Sequence, residues 1–239
     1  MEYDIIIIGA GVVGAATARE LSRWKLRTAV LEAKDDVACG TTKANSAIVH
    51  SGHSTKPGSL MAKYNVRGNR LYKGICDELD VPFLRNTHLM IGFSDDDIPR
   101  LQKVYDDGVA NGVTGLKMLT RDETLALEPN LNPEITGSLL AETGAIVCPY
   151  ELTIALAENA NINGVEFHFN SKVTGVKRRE DGKYEIMLAD GRSFVSRAVL
   201  NAAGVHSDAI NNFVSERKLQ IIPRIGEYWM LDKNYASAF

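Results

Sequence analysis

Four consecutive isoleucines, Ile5 to Ile8, make an unbroken apolar run that ends in Gly9-Ala10-Gly11-Val12-Val13-Gly14. A short run of this kind, closed by a glycine turn, predicts a strand buried on both faces of a parallel sheet. Small residues at helical spacing follow from Ala15 to Trp24, and Arg27 to Lys34 reads as a second parallel strand, so the chain opens with one βαβ unit. The spacing then changes to Leu60, Tyr64, Leu71, Ile75 and Leu79, a helical stripe that stops near Pro82. Thr87 to Ser94 predicts a strand, and Ile98, Leu101, Val104, Tyr105 and Val109 mark a helix ending at Asn111-Gly112. Thr120 and Glu123 have the spacing of a capping box ahead of a short helix halted before Pro129. Pro149 opens a further helix that Gly164 closes. Val165, Phe167 and Phe169 alternate with Glu166, His168 and Asn170, which is the pattern of a strand. From Lys183 to Gly204 the pattern predicts two short strands joined at 189–192, then an apolar strand closing on Ala202-Ala203-Gly204.

The order of elements predicts an α/β fold, a Rossmann-like domain with a parallel sheet and a β-meander, interrupted by an α+β domain. The expected boundaries are 1–81 and 149–215 for the two parts of the nucleotide-binding domain, 82–148 for the insertion, and 216–239 for the start of a returning segment.

Composition narrows the partners. With 239 residues, 45% hydrophobic content and a net charge of −3, the chain has a core's worth of apolar residues and lacks the basic excess of a nucleic-acid surface, so small molecules are the expected partners. The three cysteines, Cys39, Cys76 and Cys148, are odd in number and contain no CxxC, which points away from a disulfide framework or a metal cluster and toward a reducing cytosol. The isoleucine run is too short to span a bilayer, and the acidic start is unlike a signal peptide; contact with the inner membrane face stays open.

In the glycine turn, Gly9 permits the bend, Gly11 lets the backbone approach a pyrophosphate, and Gly14 lets helix and strand pack closely. The helix N-terminus adds oriented N–H groups and partial positive charge. Glu32, at the end of the second strand, is placed to accept hydrogen bonds from ribose hydroxyls, and its charge disfavours a 2′-phosphate. The turn alone fits NAD or FAD. The interruption of the sheet after the second strand favours an extended FAD over a simple NAD domain.

Further stretches carry a family resemblance: "GTTKANSAIVHSGHSTKPGSLMAK" (40–63), "CPYELTIALAENA" (148–160), "RAVLNAAGVHSDAI" (197–210) and "PRIGEYWMLD" (223–232). Together they resemble the D-amino-acid-oxidase-like superfamily of FAD-dependent oxidoreductases, above all bacterial glycerol-3-phosphate dehydrogenase-like proteins, with L-2-hydroxyglutarate dehydrogenases or oxidases next. The resemblance implies FAD as cofactor, with its pyrophosphate at Gly9, Gly11 and Gly14 and its ribose at Glu32. It implies Thr41, Thr42, Asn45 and Ser46 on the flavin side, Val173 at the adenine through its backbone, and Ala202, Ala203 and Gly204 closing over the cofactor.

A histidine stands nine residues after the Gly-Thr pair in the glycerol-3-phosphate enzymes, and His50 holds that place after Gly40-Thr41. Oxidising a secondary alcohol moves hydride to the flavin and the hydroxyl proton to a base, and a neutral imidazole titrates in the right range. His53 would complete an HxxH, but no third ligand stands nearby in sequence, so no metal is expected. His206 is expected to help begin the helix at Ser207-Asp208, and Lys56, Arg67 and Arg224 are cationic candidates for an anionic substrate. The resemblance implies sn-glycerol 3-phosphate as substrate, or L-2-hydroxyglutarate as the alternative. Family members of this type run to roughly twice this length, and the glycine-arginine-proline segment, the substrate-binding arginine and the last flavin-side glycine turn of their C-terminal half are missing. The chain is therefore expected to be a fragment or a split-gene product: a flavoenzyme or its N-terminal half, with a non-catalytic FAD-binding module that needs a partner subunit as the alternative.

Overall fold

The computed structural model describes residues 2–229, 232 and 234. The chain divides into two compact units, Met1–Ser46 with Cys148–Ile225, and Ala47–Val147 with Gly226–Phe239.

The first unit is built on strand β1 (Glu2–Ile8), helix α1 (Val12–Leu21) and strand β2 (Thr28–Leu31). The register Ile5↔Thr28 to Ile8↔Leu31 is parallel, as the unbroken apolar run requires. Helix α5 (Pro149–Ile162) leads to strand β9 (Glu166–His168), which adds in parallel to the free edge of β2. Strands β10 (Val173–Arg178), β11 (Tyr184–Leu188) and β12 (Ser193–Asn201) then form the antiparallel meander, and the sheet order is β10-β11-β12-β1-β2-β9. The short strand expected after 189–192 and the apolar strand expected to close on Ala202-Ala203-Gly204 are one. In β12 the Ser193–Ser196 half pairs antiparallel with β11, while Val195–Asn201 runs parallel to β1. Ser196 sits at the switch, fully buried, and its hydroxyl donates to the Ala198 carbonyl at 2.7 Å, so a polar residue here breaks nothing.

One face of this sheet holds a core of Tyr3, Ile6, Ile8, Leu31, Ile186, Leu188 and Phe194, to which helix α6 (Ser207–Val214) adds Ile210. Alternation sends Ile7 and Val30, both fully buried, to the other face. Helix α1 packs along α5, and the residues they bury include Gly14, Ala15 and Ala18 on α1 and Leu156, Ala157 and Ala160 on α5. Small side chains let these two helix backbones approach.

The second unit holds two small antiparallel sheets. The first orders strands β3 (Ile48–Val49), β8 (Ala145–Val147) and β4 (Phe83–Leu84) as β3-β8-β4, and the second orders β5 (His88–Gly92), β7 (Gly137–Ala141) and β6 (Leu116–Thr120) as β5-β7-β6. Helices α2 (Leu60–Glu78), α3 (Asp97–Ala110) and α4 (Arg121–Leu127) accompany them. The capping box of α4 is complete, with Thr120 Oγ1 accepting from the Glu123 amide and the Glu123 carboxylate accepting from the Thr120 amide.

The expected boundary at 81/82 moves to 46/47, because α2 belongs to the second unit. Buried Asn69 on α2 donates through Nδ2 to the carbonyls of His50 at 3.1 Å and Thr143 at 2.8 Å, fastening the helix to both segments. A helix stop at Pro82 ends an element without ending a domain. Residues 216–229 of the expected returning segment contain no helix or strand, and the rest of that segment, apart from Asp232 and Asn234, lies outside the described residues.

Candidate cofactor and catalytic sites

The turn after β1 is built from backbone. Gly9 has φ +104°, and a Cβ there would lie 2.5 Å from the Ala202 carbonyl oxygen. A Cβ on Gly14 would come within 1.9 Å of the Gly9 carbonyl oxygen, so strand and helix meet there at a distance only glycine allows. Gly11 differs: among the described residues a Cβ would meet just Thr42 Oγ1, at 3.1 Å, which leaves its main chain approachable by a ligand. Gly11 is also the N-cap of α1, offers no side-chain cap, and precedes a first turn without acidic residues. The positive end of the helix dipole, beyond the Val12 amide that donates to Thr42 Oγ1, is thus open to an anion.

Glu32 is drawn into this turn. Its carboxylate accepts from the Ala10 amide at 2.7 Å and from the Lys34 amide at 2.9 Å. A carboxylate offers about four lone-pair positions, so acceptor capacity remains for ribose hydroxyls.

Of the remaining expected cofactor residues of the first unit, Thr42, Ala202 and Ala203 meet this turn directly. Thr42 Oγ1 accepts from the Val12 amide at 3.1 Å, bringing the 41–46 loop to the α1 N-terminus. Thr41 begins a single 3-10 turn, Thr41–Lys43, and Asn45 Nδ2 closes it by donating to the Thr42 carbonyl at 2.8 Å. Ser46 is exposed. The Ala202 amide donates to the Ile8 carbonyl at 2.9 Å, Ala203 follows it, and Gly204 turns the chain with φ +56°. Val173 pairs with Leu188 beside a bulge before Gly175, which re-aims the local backbone. His206 takes the N-cap place of α6 without a side-chain cap, so it does not begin that helix through its ring.

These features fit a flavin adenine dinucleotide: glycines where a pyrophosphate must approach, a helix N-terminus for its charge, and a carboxylate with spare acceptors for a ribose.

His50 belongs to the second unit and is exposed. Its ring stands 6.0 Å from that of His88, centroid to centroid, at an interplanar angle of 66°. His53 is buried against α3, where a Cβ on Gly108 would come within 2.9 Å of the His53 Cβ. Burial pushes the His53 imidazole below its ordinary pKa, and the neighbouring His88 and His50 add to this; His88 is lowered by burial and by His50. The sequence offered no sign of His88 or Asn69, whose roles come from contacts far apart along the chain. Lys56, Arg67 and Arg224 are exposed. Among the described residues no group of three or more His, Cys, Asp or Glu is arranged to hold a metal, the cysteines are free, and no helix is long and apolar enough to cross a membrane.

Comparison with known proteins adds the family. Residues 4–238 match the model of the DAO family, described as FAD dependent oxidoreductase. A glycerol 3-phosphate dehydrogenase of Caloramator mitchellensis is 45% identical over 231 residues, which cover 97% of this chain and 48% of that protein. An L-2-hydroxyglutarate dehydrogenase of Indibacter alkaliphilus is 30% identical over 238 residues, covering 98% and 58%. Among solved structures, the dithionite-reduced L-alpha-glycerophosphate oxidase of Mycoplasma pneumoniae with FAD bound aligns at a TM-score of 0.85 and 31% identity, covering 89% of this chain and 57% of that one. The chain thus spans roughly half the length of the relatives it matches.

Proposed function

The chain belongs to the DAO family of FAD-dependent oxidoreductases, and on that premise we propose that it oxidises sn-glycerol 3-phosphate to dihydroxyacetone phosphate. The observation that carries this reading is the 45% identity to a glycerol 3-phosphate dehydrogenase across 97% of the chain. A flavin bound by the family supplies a two-electron acceptor for a carbon-bound hydrogen. The chain's own residues do the rest. Gly9, Gly11 and Gly14 admit the pyrophosphate, Glu32 receives the ribose hydroxyls, and Thr41, Thr42, Asn45 and Ser46 line the flavin side. Val173 meets the adenine with its backbone, and Ala202, Ala203 and Gly204 close over the cofactor. His50 takes the hydroxyl proton as general base, so that hydride leaves a carbon whose oxygen is becoming a carbonyl.

L-2-hydroxyglutarate is the second reading, favoured by the 30% identity to a dehydrogenase of that acid over 98% of the chain. Both substrates are small dianions, and cations that would recognise them pair well with phosphate or carboxylate. Anaerobic addition of each compound to the FAD-loaded chain separates the readings by the loss of flavin absorbance. We expect bleaching with sn-glycerol 3-phosphate and its loss in His50→Asn. Bleaching by L-2-hydroxyglutarate alone would transfer the assignment to that acid. Bleaching that appears only when a complementary C-terminal half is mixed in would make the chain a cofactor-binding subunit.

A further inference from the structure

His88 is held more firmly than a polar residue on a short strand needs to be. It opens β5, and its backbone registers against Ala141 of β7. A Cβ on Gly144 would lie 2.5 to 2.8 Å from ring atoms Cγ, Cδ2 and Nδ1, so the loop backbone lies flat against the imidazole and fixes its plane. Nε2 is buried with no hydrogen-bond partner among the described residues. With the ring hydrogen on Nδ1, Nε2 is a buried lone pair to which nothing donates.

The exposed ring of His50 stands edgewise to this one, at 6.0 Å between centroids. Neutral His50 has one N–H, and protonation gives it a second. We propose that His50 and His88 form one proton-holding pair, in which a proton arriving on His50 is held through a hydrogen bond to Nε2 of His88. His88 is then a positioning residue for the base, a role that rests on the reading of His50 given above.

The surrounding charges leave room for one proton and no more. His53 lies close enough that His50 and His88 both disfavour its charge. On the elements packed around the pair, Arg85 donates to the Thr143 carbonyl, Lys117 pairs with Glu142 at the end of β7, and Lys103 pairs with Asp107 on α3 beside the Gly108 that backs His53. These charges are already partnered or turned to main chain. A proton on any one of the three histidines opposes a proton on the others.

The test is a ring-nitrogen NMR titration of the whole chain without substrate. We expect the His50 and His88 nitrogens to shift together in a first step, with a second step about one pH unit or more lower. In His88→Leu the His50 midpoint falls, since the acceptor for its proton is gone. Gly144→Ala keeps the imidazole but displaces it, and is expected to lower the His50 midpoint as well; backbone amide spectra confirm that each variant is folded. A His50 titration that superimposes on the parent in both variants, or a rise of its midpoint, would overturn the pair and leave His88 as a packing residue. The result is separable from the assignment of His50. A coupled titration alongside full bleaching in His50→Asn would keep the pair and remove His50 as base, whereas an uncoupled titration with bleaching abolished would do the reverse.

Discussion

The two units treat their polar groups in opposite ways. Around the glycine turn nearly every polar group is closed by main chain: Glu32 by the Ala10 amide, Thr42 by the Val12 amide, the Ile8 carbonyl by the Ala202 amide. Among the described residues, the first unit has a single buried side-chain polar atom without a partner, Thr28 Oγ1. The second unit has Ser51 Oγ, His53 Nδ1, Asn65 Oδ1, His88 Nε2 and Thr143 Oγ1. Unpaired buried groups oppose folding, and local rules are broken mainly where function requires it. A surface that must admit a large ligand against its backbone can be made from glycine and strand ends. A surface that must handle a proton needs side chains with open valences, and the second unit carries them.

The largest expected effect probes the backbone-built unit. Gly14→Val places a branched side chain where even one carbon would stand 1.9 Å from a carbonyl oxygen. The resulting overpacking should cost at least about 3 kcal/mol, seen as a lower urea midpoint, with retained FAD lost in parallel. A variant that loses FAD at unchanged stability would show the close approach to be less rigid than the structure shows.

A smaller effect is expected in the unit built from side chains. Asn69→Ala removes the amide that binds the His50 and Thr143 carbonyls. Leaving buried acceptors unsatisfied should cost about 1–3 kcal/mol. Because the two carbonyls flank the histidine cluster, hydrogen exchange should quicken around residues 48–53 and 143–145 while the β1–β2 amides of the other unit hold. Uniform quickening across both units would erase the distinction drawn between them.

The same contrast explains what could be read from the chain. The glycine turn, the acid after β2, the α4 capping box and Pro149 at the start of α5 are local devices, each complete within a few residues, and the structure contains all four. The unity of β12 is not legible locally, since polar Ser196 and Arg197 interrupt its apolar run. Only the long-range bond pattern, with one edge facing β11 and the other β1, shows a single strand. The unit boundary was misplaced for a similar reason, since Asn69 resembles any polar residue on a helix until its partners at 50 and 143 are known. His50 could be found from its distance to Gly40-Thr41, but His88 could not: thirty-seven residues of intervening chain separate two rings that end up edge to edge.

The smallest effect concerns acid. Burial lowers His53 and His88 in the second unit and His168 in the first below the ordinary imidazole value of 6.5. The unfolded chain therefore binds protons at these rings before the folded one does. Their stabilisation is complete above pH 6.5, and it is lost as the pH falls through the folded values. The two units should not share this loss equally. The nearby Glu166 carboxylate opposes the lowering of His168, whereas the neighbours acting on His53 are both histidines and push in the same direction as burial. Urea midpoints taken at about pH 7.5 and about pH 5.5, on either side of the imidazole range, should fall with acid in the parent chain. They should converge more in His53→Gln than in His168→Gln. Equal convergence in the two variants would mean that the histidine cluster carries no special share of the acid sensitivity, and that its unpartnered atoms do not set the second unit apart from the first.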